Sequence, residues 1–391
     1  MMITTSSTFM FLPKVAPAGT AARIMLAFLA TAGLFYVNIM PAIVSGLIES
    51  LNFSRADAGL VASLNIYGAA VGALAAVFVV ARISWKPAAF MLLLGLILLD
   101  GLSILVSSPE VMMPLRALHG AVGGLLVGIS FAVIARVDQV HKTFGYLLFV
   151  QFGLGGVGVM VLPPLAPVFG TAALFVALMA FSAASLLMLG MLNDYPVARP
   201  DLDEVIAPVQ IRPLLAALLA VFLFQAANMG LYAYIIDLGK MAGLDIAFIS
   251  PTLGVAAWVG LLGASLVILF STRFGRALPL GCAIFLTVLA TIALHYSQVA
   301  WVFWLANVLV GVTWAFSIAY LLGICAEFDK AGRMAALGGF ASKTGLASGP
   351  FVAALLLTDQ GYGPLINLAA LALVLSLLIC LFPARLLDKQ S

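Results

Sequence analysis

Asn193–Ile211 reads NDYPVARPDLDEVIAPVQI and is the longest polar stretch of a 391-residue chain. Asp194, Arg199, Asp201, Asp203 and Glu204 are crowded into it together with three prolines, the composition of a solvated connector. Working outward in both directions, the sequence turns into long apolar runs separated by short polar gaps. Runs of roughly 18 to 25 apolar residues suffice to cross a hydrocarbon layer of ~30 Å as helices, with every backbone group satisfied internally. Six such runs precede the connector, at 22–47, 58–80, 88–107, 113–135, 143–166 and 171–192. Six follow it, at 213–236, 248–271, 278–296, 300–324, 335–357 and 364–384. The reading is an all-α membrane protein with twelve transmembrane helices in two halves: 1–192, a linker at 193–211, and 212–391.

Composition supports this reading. Hydrophobic residues make up 64% of the chain and charged residues 8%, against about 25% charged in soluble domains. The ten-residue alternating segments of a membrane β-barrel are absent. With the N-terminus inside, fourteen Lys and Arg residues fall on the cytoplasmic side and only Arg55 and Lys240 outside. That bias predicts cytoplasmic termini. The net charge of +3 then reflects topology, and no basic, aromatic-interleaved patch points to nucleic acid. The first run is too long for a cleaved signal and lacks a small-residue cleavage pattern, so it is expected to stay as a helix. Cys282, Cys325 and Cys380 have no metal or redox spacing and are expected to be buried and apolar. No metal or other cofactor is expected.

The two halves align at several offsets. Arg82-Ile-Ser84-Trp85-Lys86-Pro87 follows the second run, and Arg273-Phe-Gly275-Arg276 follows the eighth. Gly120 and Gly311 occupy runs four and ten; Gln151-Phe-Gly153-Leu154 in run five matches Lys343-Thr-Gly345-Leu346 in run eleven. These matches suggest a parallel internal repeat. Over essentially its whole length the chain resembles the major facilitator superfamily. The likeness rests on the 6+6 plan, the basic 2–3 and 8–9 loops, and Arg116-Ala-Leu-His119-Gly120, similar to that family's R-x-x-x-G run. Arg273-Phe-Gly275-Arg276 resembles its D-R-x-G-R loop without the aspartate, Ser271 and Thr272 preceding it. The first-half copy has no acid, and Ser84 stands where a glycine is usual. Gly153, Gly155, Gly156 and Gly158 in run five are not followed by the Gly-Pro of the antiporter signature, so the drug–proton antiporter subgroup is not supported. The resemblance implies that runs one, four, seven and ten line a central cavity. Its polar and aromatic lining would then include Tyr36, Asn38, Gln225, Asn228, Tyr232, Asn307, Trp314 and Tyr320. Asp237 falls at the end of run seven and is expected in a loop.

Three charges sit well inside runs, where each costs at least ~2.5 kcal/mol and so invites a functional explanation. Arg116 and Asp100 lie roughly 5 and 10 Å below the outer boundary by helix rise. They pair if runs three and four are neighbours, either as a structural lock or as a switch in which Arg116 tunes Asp100. His119 shares a face with Arg116 and is either a satisfied core residue or proton-linked. Lys343, about 12 Å from the inner boundary, has no carboxylate at its depth. It bonds helix carbonyls, reaches water, or contacts a substrate anion at the seam between halves, with Gln151 as neutral partner. Gly68-x-x-x-Gly72, Gly120-x-x-x-Gly124 and Gly345-x-x-x-Gly349 present small faces for close helix packing.

The expected function is secondary active transport of a small organic solute, anionic or neutral and amphipathic, by alternating access with proton coupling. A multidrug or metabolite efflux carrier of the same fold and a facilitative uniporter or channel are the alternatives. H-E-x-x-H, G-x-S-x-G and P-loop motifs are absent, so no enzyme is expected. The expected setting is a cell inner or plasma membrane; the expected partners are the solute, a proton and lipid, and the carrier is expected to be a monomer.

Overall fold

The structure, a computed structural model, describes residues 13–80, 82–195, 210–270, 273–328, 333–357 and 361–390. Most of the expected linker, with Arg199, Asp201, Asp203 and Glu204, lies outside them, as do Ser271, Thr272 and Lys330. Every regular element among the described residues is helical.

The first run is not one helix. It is divided into α1 (Thr20–Ala32), α2 (Phe35–Asn38) and α3 (Met40–Leu51). Gly33 ends α1, and Pro41 sits in the first turn of α3, where its missing N–H breaks no helical bond. Asn52 closes α3 in the left-handed conformation at φ 54°. Ser54 then caps α4 (Arg55–Val79), its Oγ accepting the Asp57 N–H at 3.0 Å. The first half continues through α5 (Trp85–Ile104), α6 (Pro109–Ile134), α7 (Val140–Phe169) and α8 (Ala172–Met191).

The second half opens with the same device: α9 (Ile211–Ala233) breaks at Tyr234 and resumes as α10 (Ile235–Met241). Asp237 is therefore on a helix and buried, not in the expected loop. After these come α11 (Ile246–Phe270), α12 (Ala277–Ala293) with a 3-10 turn at Leu294–Tyr296, α13 (Ala300–Glu327), α14 (Arg333–Leu356) and α15 (Gly363–Asp388). Among the described residues ten helices are long and apolar enough to span a bilayer; the divided first run and the small-residue-rich α14 complete twelve crossings.

Close helix approach follows from the glycines. A Cβ on Gly68 or Gly72 of α4 would strike the Ala117 or Ala121 carbonyl of α6, and one on Gly120 or Gly124 of α6 would strike the Asn65 or Ala69 carbonyl of α4. The outside is apolar: Leu105 and Ile268 are each 81% exposed, a surface suited to lipid and not to water. Cys325 and Cys380 are buried as expected; Cys282 is exposed, and all three are free.

The face carrying the chain ends is tied down by polar contacts. Lys14 Nζ donates to the Gly190 and Leu192 carbonyls at 2.7 and 3.1 Å, and Lys86 pairs with Asp194 at 2.9 Å. In the second half the acid missing from the Arg273–Arg276 loop comes from elsewhere. Arg276 donates twice to Glu327, at 2.8 and 2.7 Å, and Asp388 accepts the backbone N–H groups of Arg276 and Ala277 at 2.7 and 2.9 Å. Asp388 so caps α12, and the Glu327 bonds push the Arg276 guanidinium further above its ordinary range.

Candidate functional site

A cavity of about 210 Å³ lies between the two halves, walled by α2, α4 and α7 on one side and α9, α11, α13 and α14 on the other. Leu34, Ile66, Phe152, Met229, Leu253 and Val310 supply apolar wall; Asn38, Gln151, Asn228, Tyr232, Asn307 and Lys343 supply the polar groups. Among the described residues no carboxylate lines it.

The break before α3 brings Asn38 to this wall. Its Nδ2 donates to the Gln151 carbonyl, and Gln151 Nε2 donates back to Asn38 Oδ1, both at 3.1 Å. The backbone carbonyl of Asn38, freed by the same break, accepts the Tyr232 hydroxyl of the other half at 2.9 Å. Asn228 and Asn307 each give an N–H to the carbonyl four residues earlier, at 2.7 and 2.8 Å, and each amide oxygen has no partner among the described residues. Trp314 Nε1 donates to Gln225 Oε1 at 2.8 Å, and Gln225 Nε2 donates to Ser342 Oγ at 2.7 Å. Lys343 follows Ser342 in α14 and borders the cavity. Among the described residues it makes no hydrogen bond or ion pair.

Asp100, Arg116 and His119 form a second constellation, outside the cavity. Arg116 Nη1 donates to Asp100 Oδ1 at 2.8 Å, and its Nη2 donates to the Leu99 carbonyl and Ser103 Oγ at 3.0 and 2.5 Å. The guanidinium lies 4.9 Å from the Phe175 ring centroid and 5.9 Å from that of Tyr36. Asn65 settles the state of His119. Its Nδ2 donates to the Arg116 carbonyl at 3.0 Å, fixing the amide orientation, and also faces His119 Nδ1 at 3.0 Å. Nδ1 is therefore the acceptor, and the ring proton resides on Nε2, 3.2 Å from Asp100 Oδ1. Gly120 makes this possible, since only its missing Cβ lets the Asn65 backbone come so near α6. Asp100 Oδ2, Arg116 Nε and the Tyr36 hydroxyl are buried without hydrogen-bond partners among the described residues.

At the face opposite the chain ends the halves are joined by charge. Arg55 Nε donates to Asp237 Oδ2 at 2.6 Å, Tyr362 donates to the same carboxylate, and Lys240 pairs with Glu49. Burial and the adjacent carboxylate push the Tyr362 phenol well above its ordinary range, so it stays a donor. Ser63 Oγ donates to the Ala347 carbonyl at 2.7 Å and Tyr67 meets Ser348 at 2.7 Å, sealing α4 against α14. Trp258 Nε1 reaches the Gly153 carbonyl at 3.0 Å, from α11 to α7.

Of the residues expected at the site, Asn38, Gln151, Asn228, Tyr232, Asn307, Trp314 and Lys343 come together on the cavity. Tyr36, Gln225 and Tyr320 do not line it. Tyr36 packs on His119 with ring centroids 5.9 Å apart, Gln225 is the strut behind Trp314, and Tyr320 packs against Phe316 with the ring planes tilted by 34°. Asp100, Arg116 and His119 form one cluster, with His119 contacting Asp100 as well as sharing Arg116's face. Sequence reading missed Asn65, Ser342 and Phe152; the signal for Asn65 is an amide in an apolar run one helical turn before Gly68.

Twelve apolar crossings, an apolar exterior and a central cavity between two similarly broken halves define a multi-pass membrane protein. The chain belongs to the Major Facilitator Superfamily, which matches residues 24–354. Among solved structures it is similar to the nucleoside transporter NupG, with 13% identity, a TM-score of 0.73, and coverage of 94% of this chain and 98% of that one. A mutant of that transporter gives 14% identity and 0.74, covering 94% and 99%. A D-xylose-proton symporter gives 15% and 0.67, covering 91% and 96%. No curated protein matches.

Proposed function

We propose that this chain is a secondary active transporter, not an enzyme, that carries a small organic anion across a cell inner or plasma membrane by alternating access. The observation that carries the reading is Lys343. A cation with neither carboxylate nor carbonyl partner among the described residues, beside an otherwise uncharged cavity, calls for a ligand of opposite charge. A cationic drug finds no counter-charge there, and a neutral solute leaves the ammonium unpaired. The halves 1–192 and 212–391, joined by the 193–211 linker, act as two six-helix bundles that rock about the cavity. Both termini are cytoplasmic by the positive-inside bias. The Arg55–Asp237–Tyr362 and Lys240–Glu49 ties then close the outer side. A proton drives the cycle and the carrier works as a monomer; the proton-symporting relative and the buried Asp100–His119–Arg116 cluster support the coupling.

Counterflow in proteoliposomes tests this. A carrier accumulates labelled solute against its own gradient by exchange, which a channel cannot do. Lys343→Gln should cut anion counterflow at least tenfold without lowering the amount of folded protein, since a hydrogen-bonded charge contact is worth about 1.5–3 kcal/mol. Unchanged anion kinetics in that variant would remove the anion assignment.

A further inference from the structure

We propose, building on the anion reading, that the cavity is shaped for a monovalent aromatic carboxylate whose far end carries a hydrogen-bond donor. Three independent features of the lining lead to it.

The first is valence. Among the described residues Lys343 is the one cation on the cavity, and the polar groups farther along it are amides and the Tyr232 phenol, which is bonded to the Asn38 carbonyl. Asn228 and Asn307 have each committed one of two N–H groups to their own helix, and each keeps an unpartnered acceptor oxygen for a donor on the ligand. A second carboxylate would be buried there without a counter-cation.

The second is the wall beside Lys343. Phe152 from α7 and Trp314 from α13 meet edge to face, with ring centroids 5.9 Å apart and planes at 70°. The indole N–H is taken by Gln225, itself held by Ser342. The indole therefore offers the cavity a flat carbon surface with its only polar atom turned away. Such a surface favours a flat ring over a puckered one, because stacking adds to plain burial. Gln225 is a positioning residue for that surface.

The third is spacing. Gln225 bonds both Ser342 and Trp314, so these three and Lys343 share one level of the bundle. Asn228 lies three residues beyond Gln225 and Asn307 seven residues before Trp314. Both displacements run toward the face opposite the chain ends, by about 5 and about 10 Å at helical rise. A carboxylate held by Lys343 thus faces acceptor oxygens across roughly the length of one substituted ring. A hydroxyl or N–H at that end satisfies them.

Binding to the purified full-length protein decides the matter, read by melting-temperature shift and tryptophan fluorescence. The probes are para-hydroxybenzoate, benzoate, para-hydroxybenzamide, terephthalate and the ring-saturated counterpart of the first. Para-hydroxybenzoate should bind tightest. The uncharged amide should be weaker by at least about tenfold, and benzoate by roughly three- to tenfold, the worth of one hydrogen bond. Terephthalate and the saturated acid should both be weaker than the parent probe. Asn307→Leu, or Asn228→Leu if the former does not fold, should erase the gap between para-hydroxybenzoate and benzoate. Equal binding of the uncharged amide overturns the anion reading and this proposal together. Equal binding of the saturated acid or terephthalate, or a gap unchanged in both asparagine variants, overturns this proposal and leaves the anion reading standing. Failure of every probe to bind overturns the substrate class.

Discussion

Replacing Asp100 by Asn should destabilise the protein far more than removing the ion pair altogether. Arg116 is fully buried, and among the described residues Asp100 is its only carboxylate partner. Asp100→Asn leaves the guanidinium charged with the Leu99 carbonyl, the Ser103 hydroxyl and two aromatic faces as company. Breaking a buried pair from one side costs about 3–5 kcal/mol. The double variant Asp100→Leu/Arg116→Met leaves no stranded charge. Ser103 Oγ keeps its 2.7 Å bond to the Leu99 carbonyl, and Asn65 keeps the backbone carbonyl of residue 116. The chief loss is the acceptor for His119 Nε2, about 1–3 kcal/mol for an orphaned buried donor. The double variant should therefore melt above Asp100→Asn and somewhat below the parent when all three are heated in the same detergent. A single variant as stable as the parent, or a double variant less stable than the single, refutes the electrostatic account. Proteoliposome uptake with and without a pH gradient then separates lock from switch. A lock alone leaves the double variant responsive to the gradient, whereas a coupling role leaves it transporting by exchange but indifferent to pH.

Asp237→Asn weakens the hold on both Arg55 and Tyr362 at the face opposite the chain ends. The site is partly exposed, so about 1 kcal/mol is at stake, a roughly fivefold shift from closed toward open. Spin labels placed across that face should report a larger long-distance population, and an unchanged distance distribution would remove the latch assignment. Gly120→Ala should cost about 1–3 kcal/mol as overpacking, because its Cβ meets the Asn65 carbonyl and not a movable side chain. A melting temperature equal to the parent's would show that α4 and α6 have slack there.

The fold was legible because its cause is solvent. Where lipid replaces water, the runs must be helices, and the polar connector at Asn193–Ile211 announces the division between them. The break before α3 had its signal in Pro41, a residue expected to bend or break the run, whereas the break at Tyr234 was not legible. It lies inside a continuous apolar run, and hydropathy responds to side chains while a break is a property of the backbone. The same limit explains Tyr36 and Gln225. Both lie on cavity-forming runs, but which face of a helix meets the cavity depends on its rotation against neighbours. Asp237 was misplaced for a related reason: near the end of a run, one buried carboxylate looks like any loop acid until Arg55, more than a hundred and eighty residues away, is brought beside it.

Lys343 illustrates the opposite case, in which sequence alone isolated a residue and structure supplied its context. Its depth marked it as costly, but the cost could have been offset by a carbonyl, an acid or water. What narrows the choice is the set of groups around it. Gln151 is committed to Asn38, Gln225 to Trp314 and Ser342, and Asn228 to its own helix. No carboxylate stands among them, and among the described residues none of their oxygens is bonded to the ammonium. The bundle has thus used the N–H groups of these amides to fix the shape of the cavity, and has left one positive charge and the Asn228 and Asn307 oxygens for whatever enters it. A structural lysine would show the reverse pattern, with its own bonds made first.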